Sequence, residues 1–233
     1  MSIDYFSVGR VVEYLPAMLR KLPVTLAVAF SSTALGLVLA TLIAAALLFR
    51  VPALYQVIKV FISFSRAIPI NIQLFVYYYG LPALLAPYLL PLGLNPSRAN
   101  PIYFVVATYA ISSSAFMAVM LSASISGVDP GQSEAALSIG MTGGQMFRRV
   151  IGPQAFQIAL PEMGNVIVTN LKNTSLAFTV GVIDMVGATR AIATRTHHAL
   201  EGYVGNALVY FVICLLLEKA FGLLERRYRL RKG

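Results

Sequence analysis

An all-α integral membrane fold with five transmembrane helices is predicted by three observations. Three stretches carry no charged side chain: Leu22 to Phe49 (28 residues), Ala67 to Ser97 (31) and Ala99 to Val128 (30). Each exceeds the roughly 20 residues that a helix needs to cross ~30 Å of hydrocarbon. Composition agrees, with 58% hydrophobic and 12% charged residues and a mean hydropathy of +0.76, where soluble domains are about 25% charged. Finally, Arg226, Arg227, Arg229, Arg231 and Lys232 crowd the C-terminus directly after an apolar run, the positive-inside pattern of a cytoplasmic tail.

Residues 1–22 mix Asp4, Arg10, Glu13, Arg20 and Lys21 with Val8, Val11, Val12, Leu15, Met18 and Leu19 at helical spacing, which predicts an amphipathic leader on the membrane surface. The apolar run after it is too long for a signal-peptide core and reads as an uncleaved anchor. Within a single transmembrane domain, 23–224, spans are predicted at about 23–49, 55–80, 99–124, 156–177 and 202–224, all helical because lipid offers backbone groups no partner. An odd number of spans with the C-terminus inside puts the N-terminus outside. Arg50, Arg148 and Arg149 then lie inside, but Arg10, Arg20, Lys21, Arg190 and Arg195 lie outside, against the positive-inside bias. Pro82, Pro87, Pro91 and Pro96 predict a broken outside connection near 82–98. Residues 225–233 form the basic tail, and Cys214, the single cysteine, is a packing residue in an apolar run.

No motif for catalysis or nucleotide binding is present. The chain lacks HExxH, GxSxG, a cysteine cluster and the GxxxxGK[ST] phosphate loop. His197 and His198 have no carboxylate at ligand spacing and read as loop residues. The net charge of +9 is gathered at helix ends rather than in a nucleic-acid-binding patch, so no nucleic acid partner is expected. If ATP drives the protein, another chain binds it.

The only long polar connection is 125–155. There Asp129-Pro130 is a helix start, Glu134 sits near the positive end of the helix dipole, and Ala135, Ala136 and Leu137 propagate the helix. Gly140 ends it, with Gly143 and Gly144 loosening the backbone beyond. A short helix with a small-residue face admits close approach of another protein surface. These residues, Glu134-Ala135-Ala136 with Gly140, then Ile151, Pro153 and Leu160-Pro161, resemble the EAA loop of permease subunits of ATP-binding-cassette (ABC) importers. Asp129-Pro-Gly-Gln-Ser-Glu-Ala-Ala136 and Pro153-Gln-Ala155 are similar to the polar amino acid branch of that family. So are Ser65-Arg66-Ala67-Ile68-Pro69 through Gln73-Leu74-Phe75, Tyr77-Tyr78-Tyr79-Gly80-Leu81-Pro82, Leu171-Lys172-Asn173-Thr174-Ser175-Leu176 and Leu224-Glu225-Arg226-Arg227. Asn173-Thr-Ser-Leu-Ala-Phe with Gly181-Val-Ile-Asp-Met185 resembles cystine-type importers most.

The resemblance implies the type I importer permease fold with a cytoplasmic coupling helix. Gly131, Glu134, Ala135, Ala136, Gly140, Met141 and Pro153 are then the ATPase-coupling positions. It also implies ABC ATPase subunits carrying ATP and Mg, with no cofactor on this chain. The further partners are a second permease subunit, identical or not, an extracellular or periplasmic solute-binding protein, and the lipid of the cell (inner) membrane. The chain departs from the family where many members carry Ala-Tyr-x-Ala-Glu and a later Arg: here stand Ala115-Phe116-Met117-Ala118-Val119 and Ser122. The family's Arg-Gly-Thr-Pro is Arg66-Ala-Ile-Pro69.

Charges inside spans are costly and mark candidate sites. Arg66 lies about 16 Å along its span from Tyr55 at ~1.5 Å per residue, near mid-membrane, and Lys172 is comparably deep. With Gln73, Tyr77, Asn165, Asn170, Thr174 and Ser175 they form the candidate substrate path, either cation facing a substrate carboxylate. Capping of broken helix ends at Pro69 and Ser175 is the competing role for both cations, and Tyr77 to Tyr79 fit an interfacial aromatic belt equally well. An ion-coupled secondary carrier is the alternative function. It needs an intramembrane acid, for which only Glu162 and Glu218 are candidates.

Overall fold

The computed structural model describes residues 6–52 and 54–229. The tail residues Arg231 and Lys232, and Asp4 of the leader, lie outside the described residues. Within these, the chain is helical without strands: α1 (Val8–Leu19), α2 (Leu22–Leu48), α3 (Leu54–Ala67), α4 (Ile70–Leu89), α5 (Pro101–Ser126), α6 (Pro130–Ser138), α7 (Gly143–Met146), α8 (Gly152–Asn173), α9 (Met185–Thr196) and α10 (Ala199–Arg229). A π-turn, Phe147–Ile151, joins α7 to α8, and a 3₁₀ stretch, Thr174–Val180, continues α8.

Among the described residues, four helices are long and apolar enough to cross a membrane: Leu22–Leu48, Ile70–Leu92, Pro101–Ser126 and Ala199–Tyr228. The segment 143–180, bent by 48° against α9, is the fifth if the pair forms one span. The core is the α2–α5 pair, the most extensive helix contact in the chain. It is close because α2 turns Ala29, Ser32, Gly36 and Ala40 inward at spacings of three and four, and small residues let backbones approach. A Cβ on Gly36 would meet Ser113 Oγ at 2.6 Å, Met117 Cε at 2.8 Å and the Ala110 carbonyl at 3.0 Å. Hydroxyls inside the bundle bond back to their own helix, Thr33 to the Ala29 carbonyl (2.7 Å) and Ser113 to that of Tyr109 (2.6 Å). These two hydroxyls are thereby satisfied without water.

Helix boundaries differ from expectation in ways the local chemistry explains. The expected span 55–80 is two helices, because Pro69 has no N–H to continue α3 and restricts Ile68 before it. Pro82 and Pro87 do not break α4, which runs through both; the proline-rich connection reduces to two 3₁₀ turns, Leu90–Leu92 and Pro96–Arg98. Nor do Gly143 and Gly144 loosen the chain after α6. Thr142 and Gln145 form a reciprocal capping box that starts a new helical turn at once, so helical backbone begins well before residue 156. The leader is helical over α1, but it buries Val11, Tyr14 and Met18 against α9 and α10. Arg10 reaches buried Glu201 of α10, with Nη2 2.7 Å and Nε 2.9 Å from Oε1. Its Val8, Val12 and Leu19 face outward.

Candidate functional site: a polar groove and a coupling helix at opposite ends of α8

The helices alternate in direction, so α6, α7 and the start of α8 lie at one end of the bundle, and α1, α9 and the start of α10 at the other. At the first end, Asp129 caps α6 through Oδ1, which accepts from the Gly131 N–H (2.7 Å). Gly140, at φ +79°, closes it: its N–H bonds the Leu137 carbonyl (2.9 Å) while Met141 N–H reaches that of Ala136 (3.1 Å). That Schellman closure needs the left-handed residue which glycine supplies without strain. Ala136 is 3% exposed, so the helix is seated on the bundle, while Glu134, Ala135 and Pro153 are exposed. Leu137 and Ile139 are 57% and 73% exposed, an apolar surface outside the membrane-spanning helices that nothing among the described residues covers. Gln154 Nε2 donates to Gln132 Oε1 (3.1 Å), tying α6 to the first turn of α8.

At its far end α8 turns into the 3₁₀ stretch, and three long-range bonds hold the junction. Tyr109 Oη donates to the Asn173 carbonyl (2.7 Å), the hydroxyls of Thr174 and Tyr210 pair at 3.0 Å, and Met185 N–H donates to Thr25 Oγ1 (3.2 Å). Beside the junction, between α8 and α10, is a groove of about 720 Å³ whose lining includes Lys172, Ser175, Tyr203, Asn206, Tyr210 and Glu218. Lys172 and Glu218 carry opposite charges, yet neither makes a hydrogen bond or an ion pair among the described residues. The Asn206 side chain is 4% exposed and its Oδ1 has no partner among them. A buried unsatisfied polar atom is costly, and Asn206 Oδ1 is one; Lys172 and Glu218 are exposed to the groove.

The expected path residues fall into separate places. Lys172 and Ser175 share this groove. Thr174 is buried behind it, and Asn170 is buried too, its Nδ2 donating to Thr33 Oγ1 of α2 (2.9 Å). Asn165 is exposed and donates to Glu162 (3.0 Å). Arg66 and Gln73 belong to the α3–α4 break. There Gln73 Nε2, rather than Arg66, satisfies the carbonyls of Ser65 and Ile68, both at 2.8 Å. The Arg66 guanidinium lies over the Phe116 ring, 5.5 Å from its centroid. Tyr77 is half-buried on α4, next to Tyr78, which packs edge-on to Tyr79 and Phe104. Sequence reasoning missed Asn206 and Tyr210 and weighed Glu218 only for a carrier. Tyr203, Asn206, Tyr210, Cys214 and Glu218 recur at spacings of three and four, a stripe on one helix face that carried the signal.

Comparison with known proteins agrees with this architecture. The chain is 40% identical over 224 residues to the L-cystine transport system permease protein TcyL of Bacillus subtilis (96% of this chain, 92% of that one). It is 35% identical to the probable amino-acid ABC transporter permease protein PatM of Vibrio harveyi (92% of each). Among solved structures it is similar to an amino acid ABC transporter with histidines, at TM-score 0.81 and 32% identity over 97% of this chain and 100% of that one. The MetNI methionine ABC transporter, at TM-score 0.70 and 18% identity over 91% and 96% of the chains, shares the fold. The fold is thus that of type I ABC importer permeases, and the chain is a transport component rather than an enzyme, the ion-coupled carrier being disfavoured. Residues 32–230 match the model of the binding-protein-dependent transport system inner membrane component, and the chain belongs to that family.

Proposed function

We propose that this chain is the permease subunit of an ABC importer for polar amino acids, with L-cystine the first candidate. The observation that carries the reading is the α8–α10 groove, where Lys172 and Glu218 stand without partners among the described residues. A substrate bearing both a carboxylate and an ammonium answers both charges at once, and the Asn206 amide and Tyr210 hydroxyl supply neutral hydrogen bonds. Lys172 and Ser175 are therefore the path residues we retain from the sequence, joined by Asn206, Tyr210 and Glu218. Likeness to the cystine permease supports the substrate. Cystine carries two amino acid heads, so a pair of permease subunits offers one groove to each.

Energy enters at the other end. Exposed Glu134 and Ala135, with Leu137 and Ile139, form a seat for an ABC ATPase subunit, which carries the ATP and Mg; this chain needs no cofactor. α6 then lies in the cytoplasm with the C-terminus, and α1 and α9 lie outside, where a solute-binding protein delivers substrate. The test is uptake of labelled L-cystine by proteoliposomes containing permease, ATPase and binding protein. Uptake should require ATP and the ATPase subunit, and Lys172→Gln or Glu218→Gln should cut it at least about ten-fold, the loss of one charged bond of about 1.5–3 kcal/mol. Uptake that persists without the ATPase subunit, or that both variants leave intact, overturns the reading.

A further inference from the structure

The corner between the 3₁₀ stretch and α9 buries a charge that the substrate groove does not use. Asp184 is 0% exposed. Its Oδ1 caps α9, accepting from the Gly187 N–H (2.8 Å), while Oδ2 has no partner among the described residues. No cation pairs with the carboxylate there either. Helix dipoles do not answer the charge. The negative end of the stretch Thr174–Val180 and the positive end of α9 meet at this same corner, and the two offset one another.

The hydroxyls around Asp184 are already spent as donors. That of Tyr109 donates to the Asn173 carbonyl and that of Thr174 to the Leu171 carbonyl, both at 2.7 Å. Tyr210 is therefore the donor in its 3.0 Å pair with Thr174. Thr25 Oγ1 accepts from Met185 N–H (3.2 Å), beside Asp184, and its own proton turns to the Lys21 carbonyl (3.5 Å). Tyr109 and Tyr210 both stand within electrostatic reach of the carboxylate, and Tyr210 also faces Thr25. One helical turn before Tyr210, Asn206 is 4% exposed, and its Oδ1 is a second buried oxygen without a partner. Val186, next but one to Asp184, shares a groove wall with Asn206.

The corner is thus rich in oxygen acceptors and carries one uncompensated negative charge, which is costly when buried. A water molecule would satisfy bonds but not the charge. A divalent or transition metal fits poorly: no three His, Cys, Asp or Glu side chains gather to hold one among the described residues, and a double charge would leave one positive charge in excess. We infer that this corner is a binding site for a single alkali metal cation, held by Asp184 Oδ2 and Asn206 Oδ1 with the corner hydroxyl oxygens completing its shell. Hard cations take oxygen ligands, and interrupted helices inside membranes supply them. The ion is resident, not transported: it balances the carboxylate and ties α9 to α10, and import stays with ATP. Its test involves no substrate, so it stands or falls apart from the transport reading.

The full chain in detergent is heated in choline chloride, with sodium chloride replacing it stepwise at constant ionic strength and fixed pH. Reaction of Cys214, the sole cysteine, with a fluorogenic maleimide reads the unfolding midpoint. The midpoint should climb with sodium, by about 5–11 °C at a concentration ~100-fold above the dissociation constant. Asp184→Asn keeps α9 capped, since asparagine serves there as well as aspartate, and should abolish the response. Asn206→Ala should move it to roughly ten-fold higher sodium, the loss of one oxygen ligand. A wild-type midpoint indifferent to sodium overturns the site, and that measurement needs no variant. So does a response that survives Asp184→Asn, or one that Asn206→Ala leaves in place, because the ion would then bind elsewhere. A midpoint that ignores sodium but follows pH, and loses that dependence in Asp184→Asn, makes a proton the occupant and equally overturns the metal site.

Discussion

Gln73→Met should destabilise the protein without changing what it transports. Gln73 is 3% exposed, and its Nε2 gives two 2.8 Å bonds to the Ser65 and Ile68 carbonyls at the break between α3 and α4. Pro69 cannot supply an N–H there, so no backbone donor replaces them. Methionine keeps the volume and removes the donors. Two hydrogen bonds at about 0.5–1.5 kcal/mol each give a loss of about 1–3 kcal/mol, and the mean of about 0.6 kcal/mol per bond measured inside membranes puts the lower bound near the same value. At about 2–4 °C per kcal/mol for a chain of this size, the unfolding midpoint should fall by roughly 2–12 °C. Cys214 is the sole cysteine, 8% exposed, so reaction with a thiol-specific fluorogenic maleimide on heating in detergent reports the opening of α10. A midpoint within about 1 °C of the wild type would refute the reasoning, for the carbonyls would then have other partners. A raised half-saturation for substrate at unchanged midpoint would instead return Gln73 to the substrate path.

Two further variants probe the helix packing and the coupling helix. Gly36→Ala drives a Cβ to within 3.0 Å of three atoms of α5; overpacking of this kind costs about 1–3 kcal/mol, read as an earlier midpoint in the same thermal assay. Glu134→Lys reverses an exposed charge on α6 while leaving the bundle intact, so uptake should stop with substrate capture by the binding protein and the unfolding midpoint both preserved; normal uptake in that variant refutes the coupling role.

The long apolar helices are legible in the sequence because lipid imposes one rule on all of them: satisfy the backbone within the segment. α6 is legible too, since Asp129-Pro130 and Gly140 are local signals that act within a turn. The hidden features depend on contacts distant in the chain. Gln73 reads as a substrate ligand until the carbonyls of Ser65, eight residues upstream, and Ile68 at the break are seen to claim its amide nitrogen. Asn170 reads the same way until Thr33, 137 residues away, is found beside it. The leader's amphipathic spacing is genuine, but helical periodicity cannot say whether an apolar stripe meets lipid or protein. Here Gly202 and Gly205 of α10 leave room for Val11, Leu15 and Met18, and protein takes that face.

α8 links the two ends, and its irregularities mark where motion along it is taken up. From Gln154 to Lys172 the helix is continuous through Pro161, about 27 Å at 1.5 Å per residue; the proline removes one backbone bond, but packing on α2, α5 and α10 braces the rod so that it transmits displacement. The deformable places are the π-turn before it and the 3₁₀ stretch after it, since both geometries are weaker than the α-helix and mark hinges. Gly152 tests the first. A Cβ there would sit 2.8 Å from the Phe147 carbonyl oxygen, a backbone atom that moves only if the π-turn is rewound. Gly152→Ala should therefore cost about 1–3 kcal/mol and lower the transport-to-hydrolysis ratio, because force from α6 would reach α8 through an altered joint. Purified transporter in proteoliposomes gives both rates in one sample. An unchanged ratio together with a lowered unfolding midpoint would show that the π-turn matters to stability alone, leaving the 3₁₀ junction at Thr174 as the hinge.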